Sequence, residues 1–200
     1  MKKSFISISV LILLLTFTFT IYAEQPYSSY WFPNELLAWE INSDQDAEFN
    51  QASIKLKDRI NRDLNMVNEN ASCEAKVVAL SLMNPTTSKN PSQGSDEFDV
   101  YTFNYWQYVD QLVMWGGSAG EGLIVSPSAD VINAAHKNGV EVLGTIFMPP
   151  KEYGGQKKWV ADLIQKNEKG DFPVADKLIE VAEDYNFDGW FINQETQGTT

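Results

Sequence analysis

Asn193 and Glu195 stand two residues apart at the end of GWFIN, residues 189–193, a run with the length and composition of a β-strand. While the chain stays extended, side chains at i and i+2 project to the same side, so the amide and the carboxyl point together. Functional groups of parallel α/β sheets collect at the carboxyl ends of strands, which is where this pair falls. Two carboxyl groups facing each other across a bond are the usual equipment for cleaving a glycoside. Here the nearest upstream acid is Asp188, seven residues before Glu195, and at roughly 3.3 Å per residue it lies about 20 Å away, at the other end of the strand. Glu195 therefore has an amide and no second carboxylate as its local partner. That combination suits a reaction in which the substrate supplies its own nucleophile, the 2-acetamido oxygen of an N-acetylglucosamine. One group then acts as general acid, and a neutral group orients the acetamido and stabilises a cyclic oxazolinium. Taken alone, N-x-E is also the pattern of a loop cap or a plain binding contact.

Positioning such a pair takes a sheet. Residues 75–82 (AKVVALSL) form a continuous apolar run of strand length, as expected of a parallel strand buried on both faces. A loop rich in Pro, Ser, Asn and Gly follows over residues 84–97. Residues 111–115 predict a second strand closed by Gly116 and Gly117, and residues 140–147 a third, stopped by Pro149 and Pro150. Ser128 can cap an intervening helix that buries Val131, Ala134 and Ala135, with Asp130 in its first turn and Gly139 ending it. A helix over residues 156–166 places Trp159, Val160, Leu163 and Ile164 on one face. Another starts near Pro173 and buries Leu178, Val181, Ala182 and Tyr185.

Four strands separated by helical or connecting segments predict an α/β fold of βα units on a parallel sheet. The spacing suits a (β/α)8 TIM barrel, which usually needs about 250 residues, so only about the first half, four strands, is expected in this chain. Residues 73–200 are assigned to that truncated half barrel, and residues 24–72 to an approach segment without a domain of its own. Such a half barrel would leave two strand edges and an apolar interior open, with poor folding and no activity as the consequence.

The amino terminus reads as a secretory signal over residues 1–23: Lys2 and Lys3, an apolar run from Phe5 to about Ile21, and Ala23 before Glu24. An uncleaved membrane anchor is the alternative, and either reading places the protein outside a bacterial cytoplasm, secreted or at the cell surface. Without those residues 13 basic side chains face 27 acidic ones, a net charge of −14. Nucleic acid and anionic membrane are poor partners on that balance, the uncleaved anchor being the one route to a membrane. The single Cys73 has no intrachain disulfide partner and is expected to be inert. His136, the one histidine, precedes Gly139 near a helix end and is expected to be structural. With no His or Cys cluster, no metal and no cofactor are expected. The glycine pairs 116–117 and 154–155 lack the lysine and helix start of a phosphate loop. Asn70-Ala71-Ser72 matches a glycosylation acceptor, which means little in a bacterial protein. Six Trp, eight Tyr and eleven Phe suit stacking on sugar faces as well as core filling. Tyr153 and Trp159 are candidates to flank a sugar, although Trp159 has the helical phase of a core residue.

The segments AAHKNGVEVLGTIF (residues 134–147) and FDGWFINQET (residues 187–196) resemble the signature blocks of the family 85 glycoside hydrolases, the endo-β-N-acetylglucosaminidases. Weaker similarity extends to NELLAWE (34–40), YWQYVDQLVMWGG (105–117) and GDFPVADKL (170–178). The resemblance implies a (β/α)8 barrel that cuts between the two N-acetylglucosamines of the N-glycan core with retention, by substrate assistance. It puts the family's Asn and Glu on Asn193 and Glu195, and its strand-end tryptophan on Trp115. N-linked glycans of glycoproteins are the partners it implies, with Trp115, Tyr153 and Thr196 as the expected substrate contacts. Two other readings stand beside it: a sugar-binding or inactive fragment, and a chitinase-like hydrolase, whose usual D-x-E is absent here.

Overall fold

The computed structural model describes residues 28–44, 47–59, 75–83 and 103–197. Six strands make one sheet: β1 (Tyr30–Trp31), β2 (Val78–Ser81), β3 (Gln111–Met114), β4 (Ile124–Val125), β5 (Glu141–Met148) and β6 (Gly189–Gln194). The helices are α1 (Pro33–Leu37), α2 (Ala47–Asn50), α3 (Ala129–Lys137), α4 (Lys157–Leu163) and α5 (Pro173–Tyr185). β2, β3, β5 and β6 run parallel, each beside the next in chain order. That succession is the wall of a β/α barrel, and the expected α/β fold with four parallel strands is borne out.

The register sets two faces. Val78, Gln111, Glu141 and Leu143 alternate with residues whose side chains pass to the helical side, so the concave face carries Val78 and Leu80, Val113, Leu143, Thr145 and Phe147, and Gly189, Phe191 and Asn193. On the other face Leu112, Val142, Ile146 and Met148 are buried and join the core with Val131, Ile132, Ala135, Val181 and Tyr185 from α3 and α5. Both faces of β2 were expected to be buried. Instead Val78 is 42 % and Leu80 51 % exposed, because β2 closes the sheet at its edge and both residues stand on the open concave face.

Helix ends follow the expected signals with three corrections. Gly139 (φ 68°) receives the left-handed turn after α3, and Pro173 opens α5. Ser128 is the residue before α3, but its side chain makes no capping bond; its amide donates to the Met114 thioether. Ile132 is buried in α3 where Ala134 was expected, and Ile164, just past the end of α4, is exposed because the helix stops at Leu163.

Two segments that the strand pattern does not announce lock the wall. β4 returns antiparallel beside β5, pairing Val125 with Thr145, and β1 pairs with the far side of β4. The approach segment is thereby part of the core: Trp31, Leu36 and Trp39 are buried. A polar knot fixes it. Asn50 accepts from the Ser29 amide (3.1 Å) and the Ser126 hydroxyl (3.0 Å) and donates to Ser29 Oγ (2.8 Å), while Ser29 and Tyr185 both donate to Asp44. Burial, with Asp44 as acceptor, pushes the Tyr185 phenol far above its ordinary pKa and keeps it a donor. The amphipathic run expected over residues 54–64 has no regular structure through residue 59, and its remainder lies outside the described residues, as do Cys73 and the acceptor triplet at residues 70–72.

His136 is buried at the amino-terminal end of the wall, as a structural residue would be. Its Nδ1 lies 2.6 Å from the Ile54 carbonyl and its Nε2 2.9 Å from Asp188, whose carboxylate also accepts from the Val142 amide (2.7 Å). Both ring nitrogens face acceptors, so the imidazolium is the form that satisfies them. Burial pulls its pKa down, and the Asp188 and Ile54 bonds more than offset this, leaving it above the usual value of 6.5. The stabilisation is complete below about pH 6.5 and is lost as pH rises through the raised folded value. Urea unfolding as a function of pH is expected to show stability falling on the alkaline side of neutrality, and His136→Leu is expected to abolish that dependence.

Gly144 sits where β4, β5 and β6 meet. A Cβ there would lie 2.7 Å from the Val125 carbonyl oxygen and 2.7 Å from the Trp190 ring, and that ring is pinned by its indole N–H to the Leu178 carbonyl (2.8 Å). Neither neighbour has room to give. Gly144→Ala is expected to cost about 3 kcal/mol in the unfolding free energy, read from denaturant midpoints, whereas Gly170→Ala, with nothing within 4 Å, is expected to show only the strain of its positive φ.

Candidate active site

The carboxyl ends of β3, β5 and β6 bring the Asn–Glu pair above a floor of aromatic rings. Phe147 pairs laterally with Asn193 across β5 and β6, and Thr145 with Phe191 one layer below. Glu195 lies one residue past the strand, yet its amide still donates to the Met148 carbonyl (2.8 Å), which prolongs the ladder and keeps it extended. The two side chains do project together: Asn193 Nδ2 donates to Glu195 Oε1 at 2.7 Å, with Glu195 exposed and Asn193 half-buried. An amide donor on the carboxylate fixes its rotamer, and it leaves the amide oxygen Oδ1 to meet a ligand.

Trp115 follows β3 directly, with its amide on the Ser81 carbonyl (3.0 Å). Its ring centroid lies 5.3 Å from that of Phe147 and 6.2 Å from that of Phe191. These three rings line the barrel mouth beside and below Asn193 with apolar, polarisable surface of the kind that receives a sugar's hydrogen-bearing face. Phe147 and Phe191 were not singled out from the sequence. Phe191 was findable, being two before Asn193 and hence on its face; Phe147 required the register between β5 and β6.

The other expected contacts part company. Tyr153 ends a single 3-10 turn, Lys151–Tyr153, on the loop after β5 and is 76 % exposed, a rim position. Thr196 is buried at 6 % exposure, and its hydroxyl donates to the Pro149 carbonyl (2.8 Å). That bond ties the end of β6 to the loop that carries Tyr153. Trp159 packs on Phe32 at 5.2 Å, partly buried against the core, in keeping with its helical phase. Gly116 and Gly117 lead into a hairpin bridged from Ser118 to Gly122. Asp188 is occupied by His136 and Val142 at the opposite end of β6, away from Glu195. Among the described residues no group of three His, Cys, Asp or Glu side chains forms a metal cluster, and no helix is long and apolar enough to cross a membrane.

The sequence profile of glycosyl hydrolase family 85 matches residues 83–200. The chain is 37 % identical over 111 residues to the mouse cytosolic endo-β-N-acetylglucosaminidase, covering 54 % of this chain and 14 % of that protein. A zebrafish protein of the same name is 28 % identical over 165 residues, 82 % of this chain and 21 % of its own. Among solved structures, the glycoside hydrolase domain of Endo-D from Streptococcus pneumoniae superposes with a TM-score of 0.66 at 42 % identity, covering 83 % of this chain and 25 % of that one. The chain thus spans only a small part of the length of these relatives. The secreted or cell-surface placement expected above is contradicted by the mouse, chicken, human and zebrafish relatives, all named cytosolic. The apolar run on which that expectation rested lies in residues 1–27, outside the described residues. With its profile matched from Met83 to Thr200 and its wall shared with Endo-D, the chain belongs to glycosyl hydrolase family 85.

Proposed function

We propose that this protein is an endo-β-N-acetylglucosaminidase that hydrolyses the bond between the two N-acetylglucosamines of the N-glycan core, with retention and by substrate assistance. Residues 73–200 supply the first half of its (β/α)8 catalytic barrel, with residues 24–72 as the segment leading into it. The observation that carries the reading is the 2.7 Å bond between Asn193 and Glu195 at the mouth of the wall. An amide lies beside the acid, and the nearest upstream carboxylate on β6 is engaged at the far end of the strand.

In the proposed reaction, protonated Glu195 gives its proton to the glycosidic oxygen as that bond breaks, and the substrate's acetamido oxygen attacks the anomeric carbon. Asn193 holds the acetamido through its amide, its Oδ1 accepting the acetamido N–H, which raises electron density on the attacking oxygen and offsets the charge of the oxazolinium. The Glu195 carboxylate then takes a proton from water as the water opens the oxazolinium on the face the leaving group left. Two inversions give retention. Trp115, packed against Phe147 and Phe191, receives the sugar's apolar face, and Tyr153 contributes from the rim. The names of the mouse and zebrafish relatives support the choice of bond.

The test uses the protein carrying its whole barrel and a high-mannose glycoprotein. Glu195→Gln is expected to lower glycan release by roughly 10²–10⁴-fold; release at the wild-type rate would refute the assignment. Asn193→Ala is expected to lose hydrolysis of the intact glycan while still consuming a preformed sugar oxazoline through Glu195. Equal losses on both donors would remove Asn193 from the role given to it.

A further inference from the structure

Thr145 is a buried hydroxyl on the concave face that the reaction above does not use. It is fully buried, yet it points into the layer of Trp115 and Phe191 and not into the core behind the sheet. β3 pairs with β5 only as far as Val113 opposite Leu143. From Thr145 onward, that side of β5 is taken by antiparallel β4. At the divergence the Met114 carbonyl leaves the β3–β5 register, and the Thr145 hydroxyl donates to it at 2.7 Å. A side chain thus supplies the bond that a continuing strand would have made, and it does so one residue before Trp115. The Met114 side chain has partners of its own. Its sulfur, on the opposite face, accepts from the Ser128 amide (3.4 Å) and the Ser28 hydroxyl (3.7 Å).

We infer that Thr145 is a positioning residue for substrate binding: by fixing the Met114 carbonyl where β3 parts from β5, it sets the Trp115 ring against Phe147 and Phe191. The inference rests on the proposed reading of Trp115 as a sugar contact. Removing the hydroxyl leaves a buried carbonyl unpaired, and any shift of the 114–115 peptide that relieves it also strains the bond from the Trp115 amide to the Ser81 carbonyl and moves the indole. Loss of a sugar platform weakens substrate binding and leaves the Asn193–Glu195 geometry on β6 intact.

The experiment uses the enzyme with its full barrel, labelled with 5-fluorotryptophan, the Trp115 resonance being assigned through Trp115→Phe. Thr145→Val is expected to shift or broaden that resonance and to raise KM for the glycoprotein, lowering kcat/KM on the order of tenfold to a hundredfold with kcat within about threefold. Thr145→Ser, which keeps the hydroxyl, is expected to behave as wild type. In a Trp115→Phe background the valine is expected to cost no more than about twofold, because the group it acts through is gone. A merely structural role would lower the folded fraction and the apparent kcat, leave KM unchanged, and cost the same in both backgrounds; that result overturns the inference, as does an unmoved Trp115 resonance. Thr145→Ala, read in the same way below its melting temperature, replaces the valine if the latter fails to fold. Wild-type release by Glu195→Gln would refute the functional reading instead, and the fluorine signal would still decide whether Thr145 places Trp115.

Discussion

Everything at the mouth of this wall depends on β5 having more neighbours than a barrel strand ordinarily has. Its first half pairs with β3, its second half on the same side pairs with β4, and β6 runs along the other side from Leu143 to Met148. A strand can change partners part-way only if the outgoing strand's last polar groups are satisfied and the incoming strand finds space. Thr145 meets the first need through the Met114 carbonyl, and Gly144 meets the second by bringing no side chain between the Val125 carbonyl and the Trp190 ring. The consecutive pair Gly144-Thr145 is therefore a joint, with one residue yielding space on the helical face and the next supplying a donor on the concave face.

The joint has a consequence for the approach segment. Once β4 occupies the side of β5 that β3 has left, its own far edge is open, and β1 covers it. A two-residue strand holds little by itself, so the docking is completed by the knot around Asn50 and Asp44, where Ser29, Ser126 and Tyr185 meet. Each of those bonds joins residues far apart in sequence, so the knot organises three elements at once and leaves the Asp44 carboxylate with hydroxyl donors. At the amino-terminal end His136 does the equivalent for Asp188. Both acids are thus engaged in the fold, which leaves Glu195, facing solvent beside Asn193, with a different kind of environment from theirs.

Much of this was legible in the chain. The parallel strands were, because apolar runs of five to eight residues are what a strand packed in a parallel sheet needs, and Gly116 and Pro149 stop two of them; Pro173 and Gly139 marked helix ends through their fixed and permissive φ angles. The same-side placement of Asn193 and Glu195 followed from strand parity. What was not legible has a common cause. β1 and β4 are two residues long and carry no periodicity, so no pattern can announce them, and their pairing is fixed by space that Gly144 leaves on another strand. Thr196 was expected among the substrate contacts, but it stands opposite in parity to Glu195 and turns inward to the Pro149 carbonyl. The exposure of Val78 and Leu80 depends on where β2 sits in the sheet order, which composition does not encode.

That parity has a further physical meaning. Three consecutive positions, Gln194, Glu195 and Thr196, divide between the two sides of one extended stretch: Glu195 is on the mouth side, while Gln194 and Thr196 tie the backbone down, Gln194 Nε2 donating to the Thr196 carbonyl at 2.6 Å and Thr196 to Pro149. The backbone beneath Glu195 is bonded on its own ladder through Met148 as well. An acid that must deliver a proton along one direction loses little by being solvent-exposed, provided its main chain cannot drift; misplacement by about 1 Å is what costs rate. Fixing the main chain from behind, through side chains of the opposite parity, leaves the carboxyl's front free for a substrate and its rotamer held by the bond from Asn193. The neutral partner then belongs two residues away on the same strand, since that spacing delivers an amide to the acid without adding a charge beside it.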